Sequence, residues 1–438
     1  MGCRAWYGMM DDVDGAKFCL DAGARRFYPN EEGYRRVADN FTTVELFAGA
    51  GGLAIGMELA GFSHSAVIEW DENAVATLRC NKARGVDYCR EWDIVDRDVR
   101  DYDFRQHRGR AMFVAGGPPC QPFSTGGKHG GHADERNMFP QAIRAVREIQ
   151  PKAFIFENVK GLLRRGFSNY YNYIIQSLRY PTIVPKGDEE WQDHLARLER
   201  VYTANAFDGL YYNVIFRVLN AADFGIPQRR ERVLIVGIRS DLGIEFSFPQ
   251  PTHCEDALLH DKWVTGSYWE RHGIAKKHRP PIPDRALGRI ERLRRECREL
   301  MLEPWRTVRD AIADLPKIAI GERCTRFPNH FFNPGARIYA GHDGSGWDAP
   351  AKTLKAGAHG VPGGENTLRF APGKVRYFSV RECARLQTFR DDWIFEGSWT
   401  ETMRQLGNAV PVDLAAAIAG RLRRQVIEAD RRVIPRTS

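Results

Sequence analysis

No two of the nine cysteines in this chain stand three positions apart, which argues against a zinc site of the Cys-x-x-Cys kind. His129 and His132 lie in a glycine-rich run and read as part of a solvated loop, so no metal is expected. No stretch approaches the roughly 20 apolar residues needed to span a bilayer. Met9 and Met10 run straight into Asp11, Asp12 and Asp14, not into an apolar signal core. These absences predict a cytosolic protein with reduced thiols. There is no internal repeat. The 438 residues are 43% hydrophobic and 27% charged. That is ordinary for a globular chain, and the length allows one large domain and a smaller one.

Charge is the first positive signal. Lys and Arg number 64 against 56 acidic residues, a net charge of +8. A basic balance favours polyanionic partners, because neutralising phosphates releases counterions. Many basic proteins bind no nucleic acid, so motifs must decide.

Residues 1–40 are polar and irregular, an N-terminal extension. From Thr42 short apolar runs alternate with helical patterns. Strands are expected at 43–47, 65–69, 111–115, 153–156, 214–218 and 233–236, with helices after Gly52 and over Asn73 to Asn81. Such alternation predicts an α/β fold with a mostly parallel sheet covered on both faces. The stretch 168–206, with Tyr170, Tyr171, Tyr173 and a charged helical segment, reads as an insertion within a catalytic unit spanning 41–248. Residues 249–375, rich in Pro, Gly, His and Arg, form a second unit. Residues 376–438 return to the first, with helical patterns from Ser379 and over Val412 to Ile427.

Five sites carry chemistry. Phe47-Ala48-Gly49-Ala50-Gly51-Gly52 joins a strand to a helix, where glycines let backbone turn tightly against a ligand. Glu69, ending the next strand, suits ribose hydroxyls, and Phe47 suits stacking on adenine. An ordinary βα turn would also use these glycines. Gly116-Gly117-Pro118-Pro119-Cys120-Gln121-Pro122-Phe123-Ser124 follows a strand; two prolines stiffen the approach to a cysteine, and a glycine-rich loop comes next. Glu157-Asn158-Val159 puts an acid at the same strand edge, as a catalyst or as a turn cap. Gln228-Arg229-Arg230-Glu231-Arg232 precedes a strand whose alternation sends Arg230 and Arg232 to one face and Glu231 to the other. Two guanidiniums there suit acceptor oxygens, or an ion-pair network. In Gln405-Leu406-Gly407-Asn408-Ala409-Val410-Pro411 the Asn either caps the chain or presents its amide to a ligand.

Together with Arg381-Glu382-Cys383-Ala384-Arg385-Leu386-Gln387, these motifs stand in an order that resembles the DNA (cytosine-5)-methyltransferases over residues 42–425. The resemblance implies a Rossmann-like S-adenosylmethionine-dependent methyltransferase domain plus a smaller target recognition domain. It implies that Cys120 adds to C6 of a flipped-out cytosine, that Glu157 holds or protonates N3, that Arg232 binds O2 and that Arg230 supports the site. The cofactor, S-adenosylmethionine, would meet Phe47, Gly49, Gly52, Glu69, Trp70, Asp98, Val99, Gly117, Pro119, Asn408 and Val410. Duplex DNA would meet Gln121, Ser124 and Lys128 near the nucleophile, and Lys355 and His359 in the recognition domain at 249–375.

The family's commonest setting is bacterial or phage restriction–modification. It implies a monomer in the cytosol or nucleoid, with a cognate restriction endonuclease acting separately. Rival readings are a tRNA cytosine-5 methyltransferase, a catalytically silent DNA-binding regulator and a nicotinamide-dependent enzyme. The tRNA branch carries a Cys-Phe-Thr tripeptide that this chain lacks. The intact Cys120, Glu157 and Arg232 oppose the regulator, and the Phe-Ala-Gly turn opposes the nicotinamide enzyme.

Overall fold

The computed structural model describes residues 41–119, 137–205, 207–296, 301–319, 322–339, 342–356 and 366–433. Cys120, Gln121, Ser124, Lys128 and His359 lie outside the described residues, as does the extension expected at 1–40.

Seven strands form one sheet: β1 (Thr42–Leu46), β2 (Ser63–Glu69), β3 (Ile94–Asp96), β4 (Phe113–Gly116), β5 (Ala153–Val159), β6 (Tyr212–Asn220) and β7 (Glu231–Arg239). Their order is β3-β2-β1-β4-β5-β7-β6. Pairs among β1 to β5 are parallel, while β7 runs antiparallel to both β5 and β6. The chain winds outward from β1 in one direction and from β4 in the other. That reversal opens a crevice beyond the ends of β1 and β4, where open α/β sheets hold ligands.

Side-chain alternation explains why both faces are covered. Phe154 and Phe156 of β5 and Val233 and Ile235 of β7 enter one core cluster, with helices α3 (Phe139–Ile149) and α4 (Ser168–Arg179). Ile155, Leu234 and Val236 enter the other, with α1 (Gly52–Leu59) and the final helix Val412–Val433. Each buried aliphatic or aromatic side chain contributes roughly 1.5–3 kcal/mol by leaving water. Helix α2 (Glu72–Ala83) starts at Asp71, whose carboxylate accepts the Ala74 N–H.

The stretch read as an insertion divides in two. Tyr170, Tyr171, Ile174, Ile175 and Leu178 of α4 lie in the sheet's core, so α4 is a layer helix. Helix α5 (Trp191–Ala204) then packs on α4. Tyr173 and His194 share a hydrogen bond of 3.0 Å between the two.

Among the described residues, 249–375 contains four α-helices, Glu255–His260, Ser267–Arg271, Asp284–Glu296 and Val308–Ile312. A small cluster of Leu258, Tyr268 and Trp269 joins the first two, with Trp263, Ile274 and Trp305 against it. A three-stranded sheet of Ser345–Gly346, Thr367–Ala371 and Lys374–Tyr377 follows. The boundary expected at 375 falls inside the last of these strands.

Candidate active site

The strand ends bring the motifs to one edge. Leu46 of β1 lies in register with Gly116 of β4, and Gly116 with Phe156 of β5. The next residues along, Phe47, Gly117 and Glu157, are therefore neighbours. A Cβ on Gly117 would sit 3.5 Å from Glu157 Oε2. Because β7 is antiparallel, its entry meets the exit of β5, and Arg232 pairs with Val159. Arg232 Nε then reaches Glu157 Oε1 at 2.7 Å. One terminal nitrogen of Arg232 donates to the Glu231 carbonyl. Glu231 itself faces outward and pairs with Lys160 at 3.0 Å.

Glu157 is 7% exposed. Burial raises its pKa, and Arg232 and then Arg230 pull it back only in part. The carboxyl thus keeps its proton to higher pH than a free glutamate, which suits an acid beside a ring nitrogen. Asn158 faces the approach to Cys120: its amide donates to the Pro118 carbonyl at 2.9 Å. The Pro119 carbonyl accepts from the Met138 N–H at 3.1 Å. The chain entering Cys120 is held on both prolines.

Arg230 does something the sequence did not signal. It is fully buried, and its guanidinium donates to three backbone carbonyls: Leu354 at 3.1 Å, Gly407 at 2.6 Å and Ala409 at 2.9 Å. The expectation of a supporting arginine becomes specific here, since Arg230 acts on backbone segments and not on the Glu157–Arg232 pair by direct contact. Burial depresses its pKa, with Glu157 the nearby counter-charge.

The residues expected to meet the cofactor form a second cluster on the same edge. Phe47 is held at φ 56°, a left-handed conformation costly for a side chain of its size. Gly49 and Gly51 follow at φ 54° and 85°. Glu69 Oε2 accepts the Gly49 N–H at 2.7 Å, and Oε1 accepts the Trp70 and Asp71 N–H groups at 2.9 Å each. Burial raises the Glu69 pKa, while these N–H groups oppose the rise. Trp70 is 64% exposed beside it, a free flat face. A Cβ on Gly49 would meet nothing within 4 Å, so there is open room above the turn. A Cβ on Gly52 would lie 2.3 Å from the Val410 carbonyl, which places the first and last motifs in contact. Asn408 ends helix Trp399–Asn408 and is exposed, a helix that the sequence reading had not singled out. That helix is tied to α2 by Thr77 to Gln405 at 2.8 Å and by Arg404 to Asp71 at 2.5 Å.

An open glycine turn, an acid with its hydrogen bonds in place and an exposed indole fit an adenosine-bearing group. Asp98 fits less simply. Both its oxygens are engaged by Arg100, through the backbone N–H at 2.8 Å and the guanidinium at 2.6 and 3.0 Å. Arg100 accordingly lowers the Asp98 pKa. Val99 beside it is buried. Lys355 lies on the segment that ends next to Gly407, one residue beyond the Leu354 carbonyl that Arg230 holds. Two residues outside the expected set also shape the site, Asn158 and Gln228; the flanking Glu157 and Arg230 motifs were the signal for both.

Among the described residues no cluster of His, Cys, Asp or Glu is arranged to hold a metal ion. No described helix is long and apolar enough to cross a membrane.

Comparison with known proteins identifies the family. The family model for C-5 cytosine-specific DNA methylase matches residues 41–180 and 193–424. The type II methyltransferase M.Eco47II of Escherichia coli is 32% identical over 391 residues, covering 87% of this chain and 79% of that protein. M.NgoMIV of Neisseria gonorrhoeae is 31% identical, covering 89% of this chain and 98% of its own length. Among solved structures, a protein described as a DNA modification methyltransferase encoded within an E. coli prophage superposes with a TM-score of 0.53 at 19% identity, covering 89% of this chain and all of that one. A DNMT2 variant from Spodoptera frugiperda gives 0.52 at 14%, with the same coverage. At such identities the two structures speak for the fold alone, a mostly parallel sheet flanked by helices. The family match and the type II relatives carry the rest: the chain belongs to the C-5 cytosine-specific DNA methylases, enzymes that move a methyl group from S-adenosylmethionine to carbon 5 of cytosine in DNA.

Proposed function

We propose that this chain modifies one cytosine in a specific duplex sequence through a covalent adduct between Cys120 and C6. The observation that carries the reading is the buried Glu157–Arg232 pair, 2.7 Å apart, beside the proline-held approach to Cys120. Carbon 5 is a weak nucleophile. A Cys120 thiolate adding to C6 breaks the C5–C6 double bond and shifts its electrons into a C4–C5 enamine, which makes C5 nucleophilic. Glu157, whose pKa burial raises, supplies a proton at N3 so that negative charge does not build on the ring. Arg232, with one nitrogen on Glu157 and another on the Glu231 carbonyl, turns its remaining donor to O2.

When bound, S-adenosylmethionine supplies the electrophilic methyl. Phe47 and Trp70 would stack on its adenine, Glu69 would accept from its ribose, and Gly49, Gly52, Gly117, Pro119, Asn408 and Val410 would line its path. Asp98 and Val99 would meet the adenine edge, with Arg100 yielding one contact. After transfer, a base removes the C5 proton, the Cys120–C6 bond breaks and the N3 proton returns to Glu157, releasing 5-methylcytosine and the thiolate. A cytosine stacked in a duplex is out of reach, so the base must flip.

Residues 249–375 are read as the target recognition domain, with Lys355 and His359 near DNA and Gln121, Ser124 and Lys128 around the flipped nucleotide. The type II relatives favour a modification role beside a restriction endonuclease. A monomer acting in the bacterial cytosol or nucleoid fits that role.

The test uses methyl-labelled S-adenosylmethionine with unmethylated duplex DNA and, in parallel, total tRNA. Label recovered from DNA as 5-methylcytosine, and lost in Cys120→Ala, is expected. Label on tRNA alone would move the substrate to RNA. Sequence-specific DNA binding without label on either would make the chain a silent regulator.

A further inference from the structure

The Gln228–Arg232 stretch does more than supply Arg232. Residues 351–356 run beside 227–230 like an added strand. The Ala351 N–H donates to the Pro227 carbonyl at 2.9 Å, and the Arg229 N–H to the Ala351 carbonyl at 2.8 Å. Thr353 Oγ1 donates to the Arg229 carbonyl at 2.6 Å. Gln228 Oε1 accepts the Leu354 N–H at 3.0 Å. Farther along, the Asn366 side chain clips Lys355 in both directions at 3.0 Å, taking its N–H and giving to its carbonyl. This strap carries Lys355, the residue read as facing DNA.

On the other side lies the turn 407–410, read as facing the cofactor. Arg230 joins the two. One terminal nitrogen holds the strap at Leu354, and the other holds the turn at Gly407 and Ala409. The backbones touch as well: a Cβ on Gly407 would lie 2.3 Å from the Ala356 nitrogen. A fully buried guanidinium whose acceptors are all carbonyls is an expensive way to make a static contact, since apolar packing would serve as well. What a planar fork does uniquely is hold carbonyls of two segments in one geometry.

We propose that Arg230 is a positioning residue that couples the two ligands: filling the cofactor turn fixes the strap that meets DNA, and DNA on the strap fixes the turn. The inference rests on the reading of Asn408 and Val410 as cofactor contacts and of Lys355 as a DNA contact. Coupling of this kind is reciprocal, so each ligand must raise the other's affinity by the same factor.

The first measurement needs no variant. Hydrogen exchange of the peptide spanning 351–356 is followed in the whole protein, with and without S-adenosylhomocysteine and without DNA, while calorimetry on the same sample reports binding. Slower exchange at Leu354 and Lys355 is expected. Binding with unchanged exchange across 351–356 overturns the coupling but leaves the cofactor reading intact. No binding at all overturns the cofactor reading, and the coupling falls with it. The second measurement is DNA affinity with and without S-adenosylhomocysteine in Arg230→Lys and Gly407→Ala. A gain on the order of tenfold in the native protein should shrink below about twofold in both. Variants that melt earlier but keep the full gain would make Arg230 a merely structural tie and overturn the proposal.

Discussion

At the scale of the residue, the site depends on one acid kept out of water. Glu157 has an arginine at 2.7 Å, yet burial still lifts its pKa. The proton-bearing form therefore persists as pH rises and is lost only above that lifted value. Glu157→Gln should lower turnover by about 100-fold or more, the usual scale for a general acid, while S-adenosylhomocysteine affinity stays level by calorimetry. The alkaline fall in the native enzyme's pH–rate profile should flatten in the variant; an unchanged profile would make the acid structural. Glu157 was legible because an acid at a strand's end announces itself in sequence. Arg230 was legible only as an arginine: its acceptors are carbonyls of Leu354, Gly407 and Ala409, and every residue has a carbonyl, so no letter in the chain points to them.

Elements carry a second buried charge group, away from the chemistry. His64 of β2 lies between Glu58 of α1 at 2.9 Å and Glu45 of β1 at 3.3 Å, with the Trp92 ring 5.5 Å away. Trp92 also donates to Glu58 at 2.8 Å. Burial alone would lower the imidazole's pKa, but hydrogen bonds to Glu45 and Glu58 carry it up to about 9. A folded pKa above the ordinary 6.5 adds stability that is complete below 6.5 and is lost as pH climbs through 9. The urea midpoint of the native protein should thus fall between pH 7 and 10. His64→Gln should start lower at pH 7 and lose less over the same range. Equal losses in both proteins would show that His64 does not carry the dependence.

The elements themselves were read unevenly. Apolar runs flanked by turn residues revealed β1, β2, β4, β5, β6 and β7. β3 has only three residues and none fully buried, too little pattern to see. Helix α4 looked like an insertion because its buried face is built from tyrosines as well as aliphatics, and polar-tipped rings blur the apolar stripe. The helix ending at Asn408 was hidden by Gly407, a residue that usually stops helices and here makes room for Ala356.

For the whole molecule, substrate choice and chemistry are expected to separate. Replacing residues 249–377 with the matching part of a type II relative should move the methylated sequence, read by bisulfite sequencing, without ending methyl transfer. The cut belongs after Tyr377, because a cut at 375 would split the strand Lys374–Tyr377. Retained preference after the exchange would place recognition elsewhere. The net charge of +8 further predicts that DNA affinity falls linearly in log–log terms with salt; a flat salt response would argue against phosphate contacts.

The reversed strand β7 has a consequence of its own. It is nine residues long, so a parallel β7 would deliver Arg232 where Ile238 now lies, roughly 20 Å away at about 3.3 Å per residue. Its direction lets chain addresses 157 and 232 share one spot. The arrangement works by counting: one residue added or removed between Arg232 and Leu234 would turn the guanidinium to the opposite side of the sheet while leaving every other letter intact. For this segment, a change of length should be far more damaging than most changes of spelling.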